Sequence, residues 1–210
     1  MTQIASITGE GAERAREALT ATVASGGVAV FPADGIYGLA CDPLRADAIA
    51  RVHALKGRDD GKSSAVLFFS PLILRELISS LGEATREALA ALMPGPVTVV
   101  VHNPERRYPL ACREDPERLG IRLIDSPLGG VATPLFQTSA NLSGEGAPAR
   151  FDQVPLEIIG GADLAIDGGE LTGLPSTVVD VTGLESGGGW QILREGGMPE
   201  AEVASRMSVL

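Results

Sequence analysis

The sequence is poor in aromatic residues, cysteine and histidine, and each shortage excludes a class of protein. Aromatic residues make up only 4% of the 210 residues, so we expect a mainly aliphatic, alanine-rich core. The only two cysteines, Cys41 and Cys112, are too few for a disulfide framework, and we expect both to be packing residues. His53 and His102 are the only histidines, and no recognisable zinc-site spacing is present.

The chain also lacks the features of a membrane or secreted protein. No apolar run approaches the roughly 18–20 residues that a membrane-spanning helix needs. The N-terminal segment MTQIASITGEGAERAR has neither the basic start nor the apolar stretch of a secretory signal. Hydrophobic residues make up 44% of the sequence, which is enough for a substantial core. We therefore expect a cytoplasmic protein with no membrane partner, folded as a single domain over residues 1–210.

Positive charge is scarce overall and unevenly distributed. The formal net charge of −10 argues against indiscriminate binding of nucleic acid by the whole surface. A local basic groove remains compatible with this charge. Residues 103–118 are polar and proline-rich, and we expect a surface loop that carries four arginines, Arg106, Arg107, Arg113 and Arg118.

Apolar periodicity and glycine and proline positions predict alternating helices and strands. The spacing between strands after residue 120 is too short for a helix at every crossover. This indicates an α/β fold with a twisted, mixed parallel and antiparallel sheet and flanking helices. Strands are predicted over residues 28–31, 65–69, 97–102, 120–124, 134–138, 163–166, 177–181 and 190–193, and helices over 10–24, 45–55, 71–80, 83–92, 151–160 and 199–206.

The segment of residues 31–58 is the richest in candidate chemistry. Its turn, Ala33-Asp34-Gly35, has no bulky side chain, so a ligand could approach the backbone closely. Lys56 and Arg58 follow a predicted helix, and we expect both in a polar loop outside the core. Two cations there could bind a polyanion. The alternative is a solvated loop in which the cations only complement the helix dipole.

Three further groups of polar residues are ambiguous on their own. Ser139 and Asn141 follow a strand, where they could bind an anion or a sugar, or could simply cap a turn. Arg122 interrupts an apolar strand, so it either binds a ligand carboxylate or faces water. Ser176 and Arg194 flank later strands and are uninformative individually.

Taken together, these segments resemble one protein family. Over residues 25–197 the chain is similar to the YrdC family of L-threonylcarbamoyl-AMP synthases. The matching segments, in the order and spacing of the family, are FPADGIYGLACDP, HALKGR, LMPGPVTVVV, LGIRL, TSANLSGEGAP, STVVDVTG and ILREGG. The resemblance implies a single α/β domain built around a large open cavity. It implies a nucleotidyltransferase that joins L-threonine, bicarbonate or CO2, and ATP, and releases pyrophosphate. A downstream transfer machinery then modifies tRNA with the threonylcarbamoyl group.

The resemblance also implies a role for individual residues. The catalytic cations would be Lys56 and Arg58. The nucleotide would be bound by Lys56, Arg58, Ser139, Asn141 and Arg194, and threonine by Gly35, Tyr37, Arg122 and Ser176. The expected cofactor is Mg²⁺ held through the ATP phosphates, with no dedicated protein ligands.

Two departures from the family pattern leave alternatives open. The family commonly has PTDTVYGL or PTETVYGL, whereas this chain has Ala33 and Gly35 in place of the two hydroxyl residues. Lys62 is followed by Ser63-Ser64, where the family usually has Pro-Leu. One alternative is a paralogue that makes a carbamoyl-adenylate on a different amine. Another is a non-catalytic module that binds double-stranded RNA or tRNA, although the acidic net charge weighs against it.

Overall fold

One mixed sheet organises the protein. The computed structural model describes residues 1–9, 11–57 and 63–208. Within these residues the strands are β1 (Gln3–Ser6), β2 (Ala29–Pro32), β3 (Tyr37–Cys41), β4 (Ala65–Phe68), β5 (Val97–His102), β6 (Arg118–Leu123), β7 (Leu135–Ser139), β8 (Leu164–Asp167), β9 (Thr177–Asp180) and β10 (Gln191–Arg194). The α-helices are α1 (Gly11–Ala24), α2 (Ala46–Leu55), α3 (Pro71–Ile78), α4 (Glu83–Leu92), α5 (Pro109–Cys112), α6 (Leu156–Gly161) and α7 (Glu200–Met207).

The strand order is β1-β8-β2-β3-β7-β4-β6-β5-β9-β10. Four neighbouring pairs, β1 with β8, β8 with β2, β4 with β6 and β5 with β9, run parallel. The remaining five pairs are antiparallel. The single α/β domain with a mixed sheet and flanking helices is therefore confirmed.

The two faces of the sheet bury different side chains because successive residues of a strand point to opposite faces. In β2, for example, Val30 packs in one apolar cluster with helix residues such as Val52 of α2 and Leu89 of α4. Its neighbour Phe31 packs in a second cluster with Leu19 of α1. The first face is thus covered by several helices and the second by α1.

Helix α1 covers only one end of the second face. Its buried residues, Ala15, Leu19 and Val23, pack over the β8, β2 and β3 region. At the other end, alternate residues of β5, β6 and β9 face a cavity instead of a helix. The sheet thereby forms the floor of an open site beside α1.

Most predicted elements are present, with two differences. Strand β1 was not predicted, because QIAS is a short edge strand without a buried apolar pattern. The segment 103–118 is not entirely a surface loop, since it contains α5 and Arg118 begins β6. Cys41 and Cys112 are both buried free thiols, as expected of packing residues. In the described part of the chain, no helix combines the length and apolarity required to span a membrane.

Candidate active-site cavity

A cavity of about 630 Å³ lies on the open face of the sheet. Its floor is formed by β4, β5, β6, β7 and β9, and β10 contributes at one side. Small and apolar side chains such as Ala65, Gly120 and Val100 lie between its polar groups. The uncharged polar and cationic side chains that line it include Thr98, Arg118, Arg122, Gln137, Ser139, Asn141, Ser176 and Arg194.

A second cavity, of about 770 Å³, is larger but is a weaker candidate. It lies between α2 and α5, and alanine and leucine side chains form much of its wall. Of the predicted site residues that the structure describes, none contributes to its lining. The smaller cavity, which gathers five of them, is therefore the candidate active site.

The alternation of β6 places two arginines in the cavity. Leu119 and Ile121 are buried in the helix-covered core, whereas Arg118, Gly120 and Arg122 line the cavity. Gly120 carries no side chain, so the space between the two guanidinium groups stays open. Of the two alternatives for Arg122, exposure to bulk solvent is excluded, because the residue is 3% exposed and lines the cavity.

Arg122 is almost completely buried, with 3% of its surface exposed. Its Nη1 donates to Oε1 of Gln137 at 2.9 Å, and its Nη2 donates to the carbonyl oxygen of Ala33 at 3.2 Å. Its Nε is buried and has no acceptor among the described residues. Each Nη also carries a second hydrogen that these bonds do not use, and such donors suit an incoming carboxylate, which only accepts hydrogen bonds.

The charge of Arg122 is only partly balanced by protein groups. The pKa of Arg122 is lowered to about 10, mainly by burial. The charge of Arg194 also lowers the pKa, and the charge of Asp34 raises it. The nearest Asp34 oxygen lies 3.8 Å from Nη2, and this carboxyl is half-buried. Burial raises the pKa of Asp34, although Arg122 opposes the shift. The guanidinium remains protonated at neutral pH, and an anionic ligand would complete its neutralisation.

Asp34 holds a backbone conformation that most residues avoid. Its φ angle is 75°, in the left-handed region where Asp and Asn are better tolerated than other non-glycine residues. The turn is closed by a hydrogen bond from the Ala33 N–H to the Ile36 carbonyl at 2.9 Å. This turn brings the carbonyl of Ala33 and the carboxylate of Asp34 to the same guanidinium.

Hydroxyl groups connect the neighbouring strands on the cavity floor. Thr98 Oγ1 of β5 lies 2.7 Å from Ser176 Oγ, just before β9, and both residues are 8% exposed. Arg194 Nη2, on β10, donates to the Ser176 carbonyl at 2.6 Å and is 3.2 Å from Ser176 Oγ. Ser176 and Arg194 are thus in direct contact with each other, although they are distant in sequence.

Lys56 does not lie in a polar loop outside the core, and this expectation was wrong. The residue is 1% exposed and caps the end of α2. Its ammonium donates to the Ser139 carbonyl and, at 2.9 Å, to the Asn141 carbonyl, and lies 3.3 Å from Asn141 Oδ1. The ammonium therefore binds the backbone of residues 139–141 from the buried side and is not among the groups that line the cavity. Arg58 lies outside the described residues.

Ser139 and Asn141 both line the cavity, at the end of β7. The Asn141 side-chain amide donates to the carbonyls of Leu142 and Glu145, each at 2.8 Å. Its Nδ2 is therefore used to shape the turn, as the capping alternative proposed. Ser139 Oγ is 3.4 Å from the Lys56 ammonium. The loop is consequently a fixed wall of the cavity whose shape depends on Lys56 and Asn141.

The structure does not bring Tyr37 to the cavity, so its predicted contact with threonine is corrected. Tyr37 packs in the helix-covered core, whereas the preceding residue, Ile36, lines the cavity. Successive residues of a strand point to opposite faces, which places Tyr37 on the face away from the cavity. Its hydroxyl accepts a hydrogen bond from the N–H of Gly168 and donates one to the carbonyl of Gly169, both at 2.8 Å. Burial raises the pKa of Tyr37 to about 12.

Gly35 is likewise not among the cavity-lining residues. A steric constraint, and not ligand binding, explains the glycine at this position. A Cβ at this position would lie 1.9 Å from the carbonyl oxygen of Leu174 and 2.8 Å from Thr172 Oγ1. The Gly173 N–H also donates to the Gly35 carbonyl at 2.9 Å. The loop before β9 therefore occupies the space in which a side chain at position 35 would lie.

The polar residues of the cavity that sequence reasoning did not assign to the site include Thr98, Arg118 and Gln137. Strand alternation could have identified two of them. Thr98 alternates with the core residues Val97 and Val99, and Arg118 shares a face with Arg122. Arg118 Nη2 is paired with the buried carboxylate of Asp180, so its charge is largely balanced. Nothing in the local pattern around Gln137 indicates that it accepts a hydrogen bond from Arg122.

The fold and cavity together define the class of protein: an α/β protein with a polar cavity on the open face of a mixed sheet. A family profile described as Telomere recombination (Sua5/YciO/YrdC) matches residues 21–196. The chain therefore belongs to the Sua5/YciO/YrdC family, as the resemblance indicated.

Named relatives support this membership. The chain is 33% identical over 183 residues to a threonylcarbamoyl-AMP synthase of Thiobacillus denitrificans, covering 83% of this chain and 95% of the relative. It is 35% identical over 169 residues to the enzyme of the same name from Pseudomonas aeruginosa, covering 77% of this chain and 90% of the relative.

Solved structures share the fold. Sua5 of P. abyssi in complex with L-threonine superposes with a TM-score of 0.81 at 24% identity, covering 98% of this chain and 60% of that one. YciO of E. coli superposes with a TM-score of 0.75, also at 24% identity, covering 93% of this chain and 96% of that one. At this identity the likeness shows the fold alone.

Proposed function

We propose that the protein is an ATP-using nucleotidyltransferase that makes L-threonylcarbamoyl-AMP from L-threonine, bicarbonate or CO2, and ATP. Two lines of support converge on this reaction. Relatives that align over most of their length carry the name of this activity. The cavity has the groups that the reaction needs, since cationic and hydroxyl donors face a space of about 630 Å³.

The observation that carries the proposal is the environment of Arg122. An amino-acid substrate presents a carboxylate, and a carboxylate only accepts hydrogen bonds. Arg122 lines the cavity, and its hydrogen bonds to Gln137 and Ala33 use only two of its five N–H donors. The Asp34 carboxylate lies 3.8 Å away and balances the charge only partly. A carboxylate bound in the cavity is the partner that this charge and the remaining Nη donors favour.

The proposed reaction needs no nucleophile from the protein. The threonine amine adds to CO2 to give a carbamate, and a carbamate oxygen then attacks the α-phosphorus of ATP. The bond from the α-phosphorus to the β-phosphate bridging oxygen breaks, and pyrophosphate leaves with the electron pair. The contribution of the protein is positioning, for which effective molarities of about 10⁵–10⁸ M are possible in well-oriented reactions.

The cavity residues would be shared between the two substrates. Arg122 and Ser176 would bind the amino acid, and Ser139, Asn141 and Arg194 the nucleotide, with Lys56 holding the 139–141 loop in shape. The contact between Ser176 and Arg194 would place the two substrates next to each other. Arg58, on the strength of the motif, would neutralise charge on the leaving pyrophosphate.

Mg²⁺ is part of the proposal through its usual association with ATP. The described residues contain no group of three or more His, Cys, Asp or Glu side chains arranged to hold a metal ion. In the proposed reaction the ion would be carried mainly by the nucleotide phosphates, as is common for Mg²⁺. When bound, Mg²⁺ would supply further neutralisation of phosphate charge. The product would pass to a downstream machinery that modifies tRNA.

The test is pyrophosphate release from ATP with bicarbonate, run with L-threonine and separately with serine, alanine and other small amino acids. We expect threonine-dependent release and a product with the mass of threonylcarbamoyl-AMP. Arg122→Gln should abolish the pyrophosphate release that threonine stimulates. Arg45→Gln, which removes an exposed arginine paired with Asp47, should leave this release unchanged. Release without any amino-acid dependence would refute the proposal, and dependence on a different amine would identify the paralogue.

A further inference from the structure

Thr98 and Ser176 form a pair of hydroxyl groups on the cavity floor whose hydrogens are not all used. Their oxygens are 2.7 Å apart, and both residues line the cavity. Ser176 Oγ has one other partner, the Nη2 of Arg194 at 3.2 Å, which is a donor. Among the residues described, neither hydroxyl has a second acceptor within hydrogen-bond distance.

The two hydroxyls carry one hydrogen more than the pair can use. Each hydroxyl carries one hydrogen, and only one hydrogen can lie between two oxygens. The guanidinium of Arg194 donates to Ser176 and so cannot accept the second hydrogen. One O–H of the pair is therefore left pointing away from the pair. Both residues are only 8% exposed, so an unmet donor there is costly.

The position of this spare hydrogen relates it to Arg122. Strands β5 and β6 are antiparallel, with Val99 opposite Ile121 and Val100 opposite Gly120. Thr98 directly precedes Val99 and Arg122 directly follows Ile121, and both line the cavity. The hydroxyl pair and Arg122 thus lie on neighbouring strands and face the same cavity.

We propose that Thr98 is a positioning residue for amino-acid binding, which holds the Ser176 hydroxyl so that the pair donates one hydrogen bond to the substrate carboxylate bound by Arg122. This inference rests on the proposed function, because it assigns the Arg122 end of the cavity to an amino acid. The carboxylate would accept from the guanidinium with one oxygen and from the hydroxyl pair with the other. Thr98 acts by fixing the direction of a hydroxyl that would otherwise rotate freely.

The experiment measures the affinity for L-threonine by calorimetry, and that for ATP separately, in four variants. Thr98→Val removes the hydroxyl with little change in shape, and Thr98→Ser keeps it. Ser176→Ala removes the partner, and the double variant Thr98→Val/Ser176→Ala tests whether Thr98 acts through Ser176. Thr85→Val is the matched control, because Thr85 is a buried threonine on α4, away from the cavity.

We expect Thr98→Val to weaken threonine binding about tenfold, the scale of one hydrogen bond to a charged group, while ATP affinity is unchanged. Thr98→Ser should retain wild-type affinity. In the Ser176→Ala background, Thr98→Val should have no further effect. Thr85→Val should change only the thermal stability.

Several outcomes would overturn the inference. Equal threonine affinity in Thr98→Val and wild type would exclude a role for the hydroxyl, and so would full loss of affinity in Thr98→Ser. A further loss in the Ser176→Ala background would show that Thr98 does not act through Ser176. If Thr98→Val does not fold, Thr98→Ala removes the same hydroxyl and takes its place, and equal threonine affinity in Thr98→Ala and wild type would overturn the inference. If the wild-type protein binds no threonine, the proposed function fails together with this inference. If the wild type binds threonine and Thr98→Val binds it equally well, only this inference fails.

Discussion

Replacing Lys56 with methionine tests whether its ammonium is a structural group of the 139–141 loop. Methionine has a similar length and no charge, so the variant removes the donors with little change in volume. In the wild type the ammonium bonds the Asn141 carbonyl at 2.9 Å and lies 3.3 Å from Asn141 Oδ1. Both interactions are buried, and a further bond goes to the carbonyl of Ser139.

The expected magnitude follows from the acceptors that lose their donor. Each buried unsatisfied acceptor costs about 1–3 kcal/mol, so the two on Asn141 give about 2–6 kcal/mol. The variant also removes the cost of burying an ammonium, so we expect the free energy of unfolding to fall by about 2–4 kcal/mol, in the lower part of this range. For a domain of this size that corresponds to a melting temperature about 4–16 °C lower.

Urea unfolding followed by circular dichroism is the assay, with the midpoint expected to fall at an unchanged m value. Arg75→Met is the matched control, because Arg75 is an exposed cation in the last turn of α3 and should cost only about 0.3–1 kcal/mol. A Lys56→Met variant as stable as wild type, yet without pyrophosphate release, would refute this reasoning. It would indicate instead that the ammonium acts on the substrate.

Three further predictions concern other parts of the structure. Gly35→Ala should lower the melting temperature, because its Cβ would lie 1.9 Å from the Leu174 carbonyl oxygen; Gly146→Ala, with no atom within 4 Å, should not. Asn141→Ala should destabilise the protein by about 1–3 kcal/mol, because two carbonyls lose their donor but both bonds are only partly buried, and equal stability in a thermal melt would contradict this. Burial alone would raise the pKa of Asp180, but hydrogen bonds and a nearby guanidinium outweigh it and hold the pKa below its usual 3.8. Its stabilising contribution is therefore present above pH 3.8 and lost as the pH falls through the folded pKa, so Asp180→Asn should flatten the acid limb of a stability–pH curve.

Much of the fold could be predicted from local sequence patterns. Helix α1 has a clear periodicity of 3.6 residues and strand β5 is rich in β-branched residues, and glycine and proline end the elements around them. Strand β1 has neither signal and was missed, because an edge strand is stabilised by its partner β8 more than by its own composition. The order of the ten strands depends on pairings between distant segments, which no local pattern contains.

The candidate site was predictable in its residue types and less so in its geometry. The motifs correctly indicated that Arg122, Ser139, Ser176 and Arg194 gather in one place, and all four line the cavity. Tyr37 was misplaced because its motif shows which residues recur in the family and not which face of a strand they occupy.

The sequence by itself determined the family and the helices and strands with strong periodicity, and it predicted which cationic and hydroxyl residues would gather. These properties follow from residue types and their spacing, which do not depend on long-range contacts. Only the tertiary structure decided that Lys56 is buried under a loop, that Leu174 occupies the space beside Gly35, and that Thr98 meets Ser176. Each of these contacts joins residues more than 75 positions apart. Their energies depend on distance and burial, and those quantities exist only once the chain has folded.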